Sequence, residues 1–190
     1  MSPPSYSRHR KRYEGEGHAR YLTFSCFQNQ SLLTPENARL WLVEAIAQAK
    51  AKQPFDLWAW VAMPEHVHLL LWPQKEVKVG AILQSIKQSV TLRAIHFAQT
   101  QQPDLLAAMR DLQPNGELAY RFWQRGGGHD RNIFSVAEVH EKINYIHANP
   151  VRRGMVDHPQ DWRWSSWSAW HGEGTPIHPV DRESLPHLVR

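Results

Sequence analysis

The stretch that most constrains this chain is "WVAMPEHVHLLLWP", Trp60 to Pro73. The segments "FDLWAWVAM" and "HVHLLLW" are rich in β-branched and aromatic residues and only Pro64-Glu65 separates them, so they read as two strands of a tight hairpin. Side chains alternate along a strand. That puts His66, His68, Leu70 and Trp72 on one face and Val67, Leu69 and Leu71 on the other. A run otherwise suited to a core therefore carries two imidazoles pointing the same way. A buried polar group without a partner costs about 2–7 kcal/mol, so these rings need something to bind. Their Cβ atoms lie roughly 6.7 Å apart, two steps of strand rise, and both rings can lean to one point to make half of a metal site. A pair of packed or surface histidines satisfies the same pattern.

"HARYLTFSCF" (18–27) alternates like a strand. Thr34-Pro35-Glu36 reads as a helix start with Thr34 as cap, and Leu40, Val43 and Ala47 then share a face up to about Lys52. Val79, Ile82, Leu83, Ile86 and Val90 form an amphipathic helical stripe. Residues 99–117 read as a connection with a short helix at 104–112, "LAYRFW" (118–123) as a strand, and Gly126-Gly127-Gly128 as loop. The order strand, helix, strand, strand, helix, strand is that of an α+β ferredoxin-like sandwich. Its third strand, with the histidines, lies in the middle of an antiparallel sheet. Helices cover one face and the other is open to a ligand unless the tail covers it.

The next helix is the best delimited. Ser135-Val-Ala-Glu138 is a capping box, and Pro150 disfavours helical geometry at Asn149, placing the end there. Its apolar stripe is Val136, Val139, Ile143 and Ile146, with His140 and His147 at the edge. Tyr145 falls on the opposite side of the cylinder, and Asn149, one turn on, shares its face. A tyrosine needed only for packing belongs with Ile143 and Ile146. Beyond this helix comes a Trp-rich tail, "DWRWSSWSAW". Trp162, Trp164, Trp167 and Trp170 suit packing first and base stacking second. The expected organisation is a basic arm over 1–17, a domain over 18–152 and a tail over 153–190.

Charge points to a polyanion. The formal net charge is +4 over 190 residues, and the positive residues cluster at Arg8, Arg10, Lys11 and Arg12, at Arg121, Arg125 and Arg131, and at Arg152 and Arg153. The single cysteine, Cys26, excludes an intrachain disulfide and a thiolate zinc site. No apolar run is long enough to span a bilayer, and the start of the chain lacks a secretory signal, so a soluble cytoplasmic protein is expected.

"MPEHVHLLL", "FWQRGGGHD" and "INYIHANPVRRGMVDHPQDWRWSSW" together resemble the single-tyrosine HUH transposases, in particular the REP-associated branch, from about Arg20 to Trp170. The resemblance implies a ferredoxin-like fold with the HUH pair on a central strand and the catalytic tyrosine on a following helix. It assigns His66 and His68 to the metal, Asn149 to the same ion and Tyr145 to nucleophilic attack. The Asn at 149 favours the REP-associated branch over those with Gln. Many relatives have an aromatic and two histidines around an Asp after "FWQ". Here the run is Gly127-Gly128-His129-Asp130-Arg131, which departs from that pattern.

The implied activity is metal-dependent cleavage and rejoining of single-stranded DNA near REP-like hairpins through a 5′-phosphotyrosine. The expected cofactor is Mg²⁺ or Mn²⁺, since mixed nitrogen and oxygen ligation without sulfur suits these ions. Arg10, Lys11, Arg12, Arg152 and Arg153 are the expected DNA contacts. A monomer associated with the nucleoid is expected. The alternatives are a dimeric insertion-sequence transposase with shared active sites, a replication initiator or relaxase, and a hairpin-binding protein without catalysis.

Overall fold

The computed structural model describes residues 18–186, so the expected arm with Arg10, Lys11 and Arg12 lies outside the described residues. A four-stranded antiparallel sheet is built from β1 (Ala19–Ser25), β2 (Phe55–Ala62), β3 (His66–Pro73) and, later in the chain, His129–Ile133. The helix α1 (Glu36–Lys52) joins β1 to β2, and α2 (Val79–Thr100) follows β3. Next come α3 (Pro103–Ala108) and a small separate hairpin of β4 (Arg110–Leu112) and β5 (Leu118–Tyr120). His129–Ile133 is therefore β6, and α4 (Val136–Arg152) and α5 (Trp167–His171) follow it. The sheet order is β2-β3-β1-β6, which puts the histidine strand in a central position as expected.

The two-residue alternation decides which face each side chain serves. Val67, Leu69 and Leu71 join Leu22 and Phe24 in a core under α1 and α2, while Tyr21 and Leu70 join the opposite cluster under α4. Each fully buried leucine contributes about 1.5–3 kcal/mol, and a one-residue slip would turn the whole set outward, so the register is strongly held. In β2 a bulge between Leu57 and Ala59 breaks the alternation. It directs both Trp58 and Ala59 to the α4 side, while Leu57 and Trp60 stay on the other.

Several expectations are corrected. The fourth strand of the sheet is β6 rather than 118–123. Leu118–Tyr120 instead pairs with Arg110–Leu112, and β6 escapes a hydrophobic reading because Asp130 serves a buried ion pair with Arg20. The second sheet face is not open, since α4 lays Val139, Ile143 and Ile146 on it. That helix also passes Asn149 and includes Pro150. Proline removes one donor, but the last turn is closed by Arg153 N–H donating to the Asn149 carbonyl at 3.1 Å. In α1 the cap position is Pro35, not Thr34, and the buried stripe is Ala38, Leu42, Val43, Ala45, Ile46 and Ala49, so Val43 is buried as expected while Leu40 and Ala47 lie at the surface. Ser135 does cap α4, accepting from Glu138 N–H at 3.1 Å.

The tail packs onto this domain and covers the exposed edge of β2. Ala62 N–H donates to Trp164 O and Ser166 N–H to Trp60 O, both at 2.9 Å, while Asp181 accepts from Leu57 N–H at 2.7 Å. An edge strand is thereby closed to other chains. The indoles serve this packing: Trp162 Nε1 donates to Ala62 O and Trp170 Nε1 to Trp58 O.

Gly128 sets how closely β6 approaches β1. Its φ is +73°, and a Cβ there would lie 2.1 Å from Thr23 O and 3.1 Å from Phe24 Cα. Gly128→Ala is expected to cost about 2–4 kcal/mol through backbone strain and overpacking. For a chain of this size that lowers the thermal midpoint by roughly 4–16 °C, readable by circular dichroism. An unchanged midpoint would refute this close approach.

Candidate active site

His66 and His68 share one face of β3 and their rings meet there. Their Nε2 atoms are 3.1 Å apart and the ring planes cross at 78°. Each ring is oriented from behind. Glu65, in the hairpin turn, accepts from His66 Nδ1 at 3.0 Å and from Arg153 at 2.7 Å. His68 Nδ1 lies 2.8 Å from both Tyr21 Oη and Thr23 Oγ1, two side chains that alternation puts on this face of β1. The carboxylate takes the proton-bearing nitrogen of His66 and leaves its Nε2 as a lone pair.

From the other side, α4 delivers Asn149. Its Nδ2 donates to His68 Nε2 at 3.1 Å, so that nitrogen too presents a lone pair. Burial pushes His68 down to about 3, and His66 is also lowered, mainly by burial against the opposing pull of Glu65. Both rings are thus neutral at physiological pH, the form that ligates metal. The His68 lone pair that accepts from the Asn149 amide is the one a cation would take, beside that of His66 Nε2 at 3.1 Å. Cis ligands at 2.0–2.1 Å from an octahedral ion stand about 3 Å apart, close to this spacing. Asn149 Oδ1, buried and without a hydrogen-bond partner among the described residues, is a spare oxygen ligand. The donor set of two imidazoles and one amide fits a divalent ion.

Tyr145 reaches the same place one turn before Asn149. Its ring centroid is 5.8 Å from that of His68 and 6.2 Å from that of Tyr21. Arg152 lies 4.8 Å over its ring and Lys142 Nζ 5.9 Å from it. These cations come from positions three before and seven after the tyrosine, the spacing of one helix face. Tyr145 also packs partly against the α4 cluster, so it is not wholly detached from the core.

The structure thus brings together His66, His68, Asn149 and Tyr145, with Arg152 beside the phenol and Arg153 behind His66. Reading the sequence missed Glu65, Tyr21, Thr23 and Lys142. Tyr21 and Thr23 become visible only once β1 is known to pair with β3, where Thr23 stands opposite His68. Lys142 carried a usable signal in its helical spacing from Tyr145. His147, by contrast, is a structural residue: it is buried and bonded to Ser166 Oγ at 2.9 Å.

No family model matches the chain. A REP-associated tyrosine transposase of Escherichia coli K12 is 25% identical over 173 residues, covering 90% of this chain and 88% of that protein. The chain resembles the REP-associated tyrosine transposases. A provisionally named REP-associated tyrosine transposase of Haemophilus influenzae is 23% identical over 76% of both chains. A solved structure of a REP-associated tyrosine transposase bound to a REP hairpin superposes over the full length of both chains with a TM-score of 0.63 at 21% identity. The chain shares the fold of that transposase. Among the described residues no helix is long and apolar enough to cross a membrane.

Proposed function

We propose that this chain is a REP-associated tyrosine transposase, an enzyme that cleaves and rejoins single-stranded DNA beside REP-like hairpins. One observation carries the reading. Two strand imidazoles, a helical amide and a helical phenol converge within a single chain. His66, His68 and Asn149 would hold a divalent ion, Mg²⁺ or Mn²⁺, which when bound supplies Lewis acidity to the scissile phosphate. Tyr145 Oη attacks the phosphorus, the 3′ oxygen leaves as a free 3′-OH, and a 5′-phosphotyrosine forms. Attack by a second 3′-OH reverses the step, so no nucleotide cofactor is consumed. Arg152 and Lys142 put positive charge beside the phenol, where the phosphate's negative charge must come. Arg153, and the arm residues Arg10, Lys11 and Arg12, would contact the DNA backbone. All four site groups come from one chain, which supports action as a monomer rather than as a dimer with shared sites. The reading places the enzyme in the cytoplasm with its DNA.

The test is a labelled oligonucleotide with a REP-like hairpin and single-stranded flanks, incubated with protein and Mg²⁺ and resolved on a denaturing gel. A covalent adduct is expected. EDTA should remove it, Mg²⁺ or Mn²⁺ should restore it, and His68→Ala should prevent it at every metal concentration. Adduct formed equally well in EDTA would sink the metal assignment, and no adduct in any divalent ion would sink the enzyme assignment.

A further inference from the structure

The site does not end at the histidines. A cavity of about 200 Å³ opens beside it, lined by Thr23, which bonds His68, and by His129. Lys87, Gln124 and Arg125 also line it, and these three residues reappear in the wall of a second cavity of about 450 Å³. The two therefore share a wall and make one groove, which runs from Thr23 and His129 at the margin of the active site along α2 toward the β4–β5 hairpin. Gln84, Gln88, Tyr120 and Arg121 line its far part. None of the described residues lining either cavity is acidic.

The groove's chemistry is that of a single strand's path. Its cations are held in place. Lys87 Nζ donates to Gly126 O at 3.0 Å and lies 5.2 Å from the Phe24 ring, while Arg121 and Arg125 both pair with Asp111. Hydrogen bonds from Arg121, Gln113 and Arg125 keep the Asp111 carboxyl at about 2, so it stays ionised. Arg121 and Arg125 share the one carboxylate of Asp111, so this pair keeps net positive charge, and Arg125 remains 52% exposed. Exposed Gln84 and Gln88 offer amides to base edges, and the half-buried Tyr120 offers a ring to base faces.

We propose that this groove carries the single-stranded flank of the hairpin substrate away from the active site, gripping its phosphates through Lys87, Arg121 and Arg125. The inference rests on the function proposed above and names where that substrate runs.

Fluorescence anisotropy with labelled dT12 at several salt concentrations tests it, alongside a blunt hairpin and the same hairpin with a six-nucleotide flank. Arg125→Ala should lower the salt slope for dT12 by about 0.7, the value of one single-strand phosphate contact. Gln84→Glu with Gln88→Glu, on an exposed helix face, should weaken dT12 and flanked-hairpin binding at least tenfold without changing the blunt hairpin. Arg163→Ala, at a residue 63% exposed and paired with Glu36, neither of which lines the groove, is the neutral control. Groove variants that bind dT12 and the flanked hairpin within twofold of wild type, while wild type still forms the adduct, overturn the groove alone. Groove variants that lose dT12 binding, with no adduct from wild type, retain it as a single-strand site and overturn the catalytic reading instead.

Discussion

Tyr145→Phe is expected to abolish the covalent DNA adduct while leaving hairpin affinity within about twofold. The phenol oxygen is the only atom removed, and an attacking nucleophile cannot be replaced by tighter binding elsewhere. The loss should reach on the order of a thousandfold or more, since nucleophile removal takes away the whole covalent route. The alternative attacker is Tyr21, whose ring lies 6.2 Å from that of Tyr145. Its hydroxyl is tied to His68 Nδ1 at 2.8 Å, and burial raises it to about 12. That makes Tyr21 a support for the ligand histidine. Tyr21→Phe should therefore keep the adduct but require roughly 10–100 times more metal to form it, the usual cost of losing a partner behind a ligand. Adduct from Tyr145→Phe together with none from Tyr21→Phe would exchange the two roles.

How much of this was legible in the sequence follows from the range of each signal. The hairpin, the capped start of α4 and the α2 stripe rest on neighbours within a turn or a strand, and all three stand where the pattern puts them. The pairing of Tyr145 with Asn149 on one helix face is equally local. β6 was hidden because "HDRNI" is polar. What makes it a strand is the Arg20–Asp130 pair and the Gly128 approach, both of which need β1 beside it. The buried face of α1 is legible only in part: Val43 is buried as expected, but Leu40 has the size of a core residue and points to solvent while Ala38, Ala45 and Ala49 face the core. Pro150 reads as a stop, but a proline in the last turn loses only one backbone bond, and Arg153 N–H still closes that turn on the Asn149 carbonyl. The support behind the histidines was invisible for a further reason. Glu65 stood in plain view, but Tyr21 and Thr23 join His68 across 47 and 45 residues of chain.

The ion pair that hid β6 carries the second large effect. Arg20 Nε and Nη2 bind the two oxygens of Asp130 at 2.9 and 2.6 Å, with both side chains 4% exposed. Removing one partner of a buried ion pair costs about 3–5 kcal/mol. Asp130→Ala should thus lower the thermal midpoint by roughly 6–20 °C in a chain of this size. Arg20→Met with Asp130→Leu removes both charges and keeps apolar volume, so most of that stability should return. Activity should follow the same order. Arg20 precedes Tyr21 on β1 and Asp130 follows His129 on β6, and Thr23, facing His129 across the pair, orients His68. Loosening β6 from β1 in Asp130→Ala should therefore reduce adduct yield even at temperatures where the variant is folded, and the apolar double variant should recover it. A double variant as unstable as the single one would mean that Asp130 acts through its other neighbours rather than through Arg20. Full stability in the single variant would mean that water reaches the guanidinium and that β6 is held by its backbone alone.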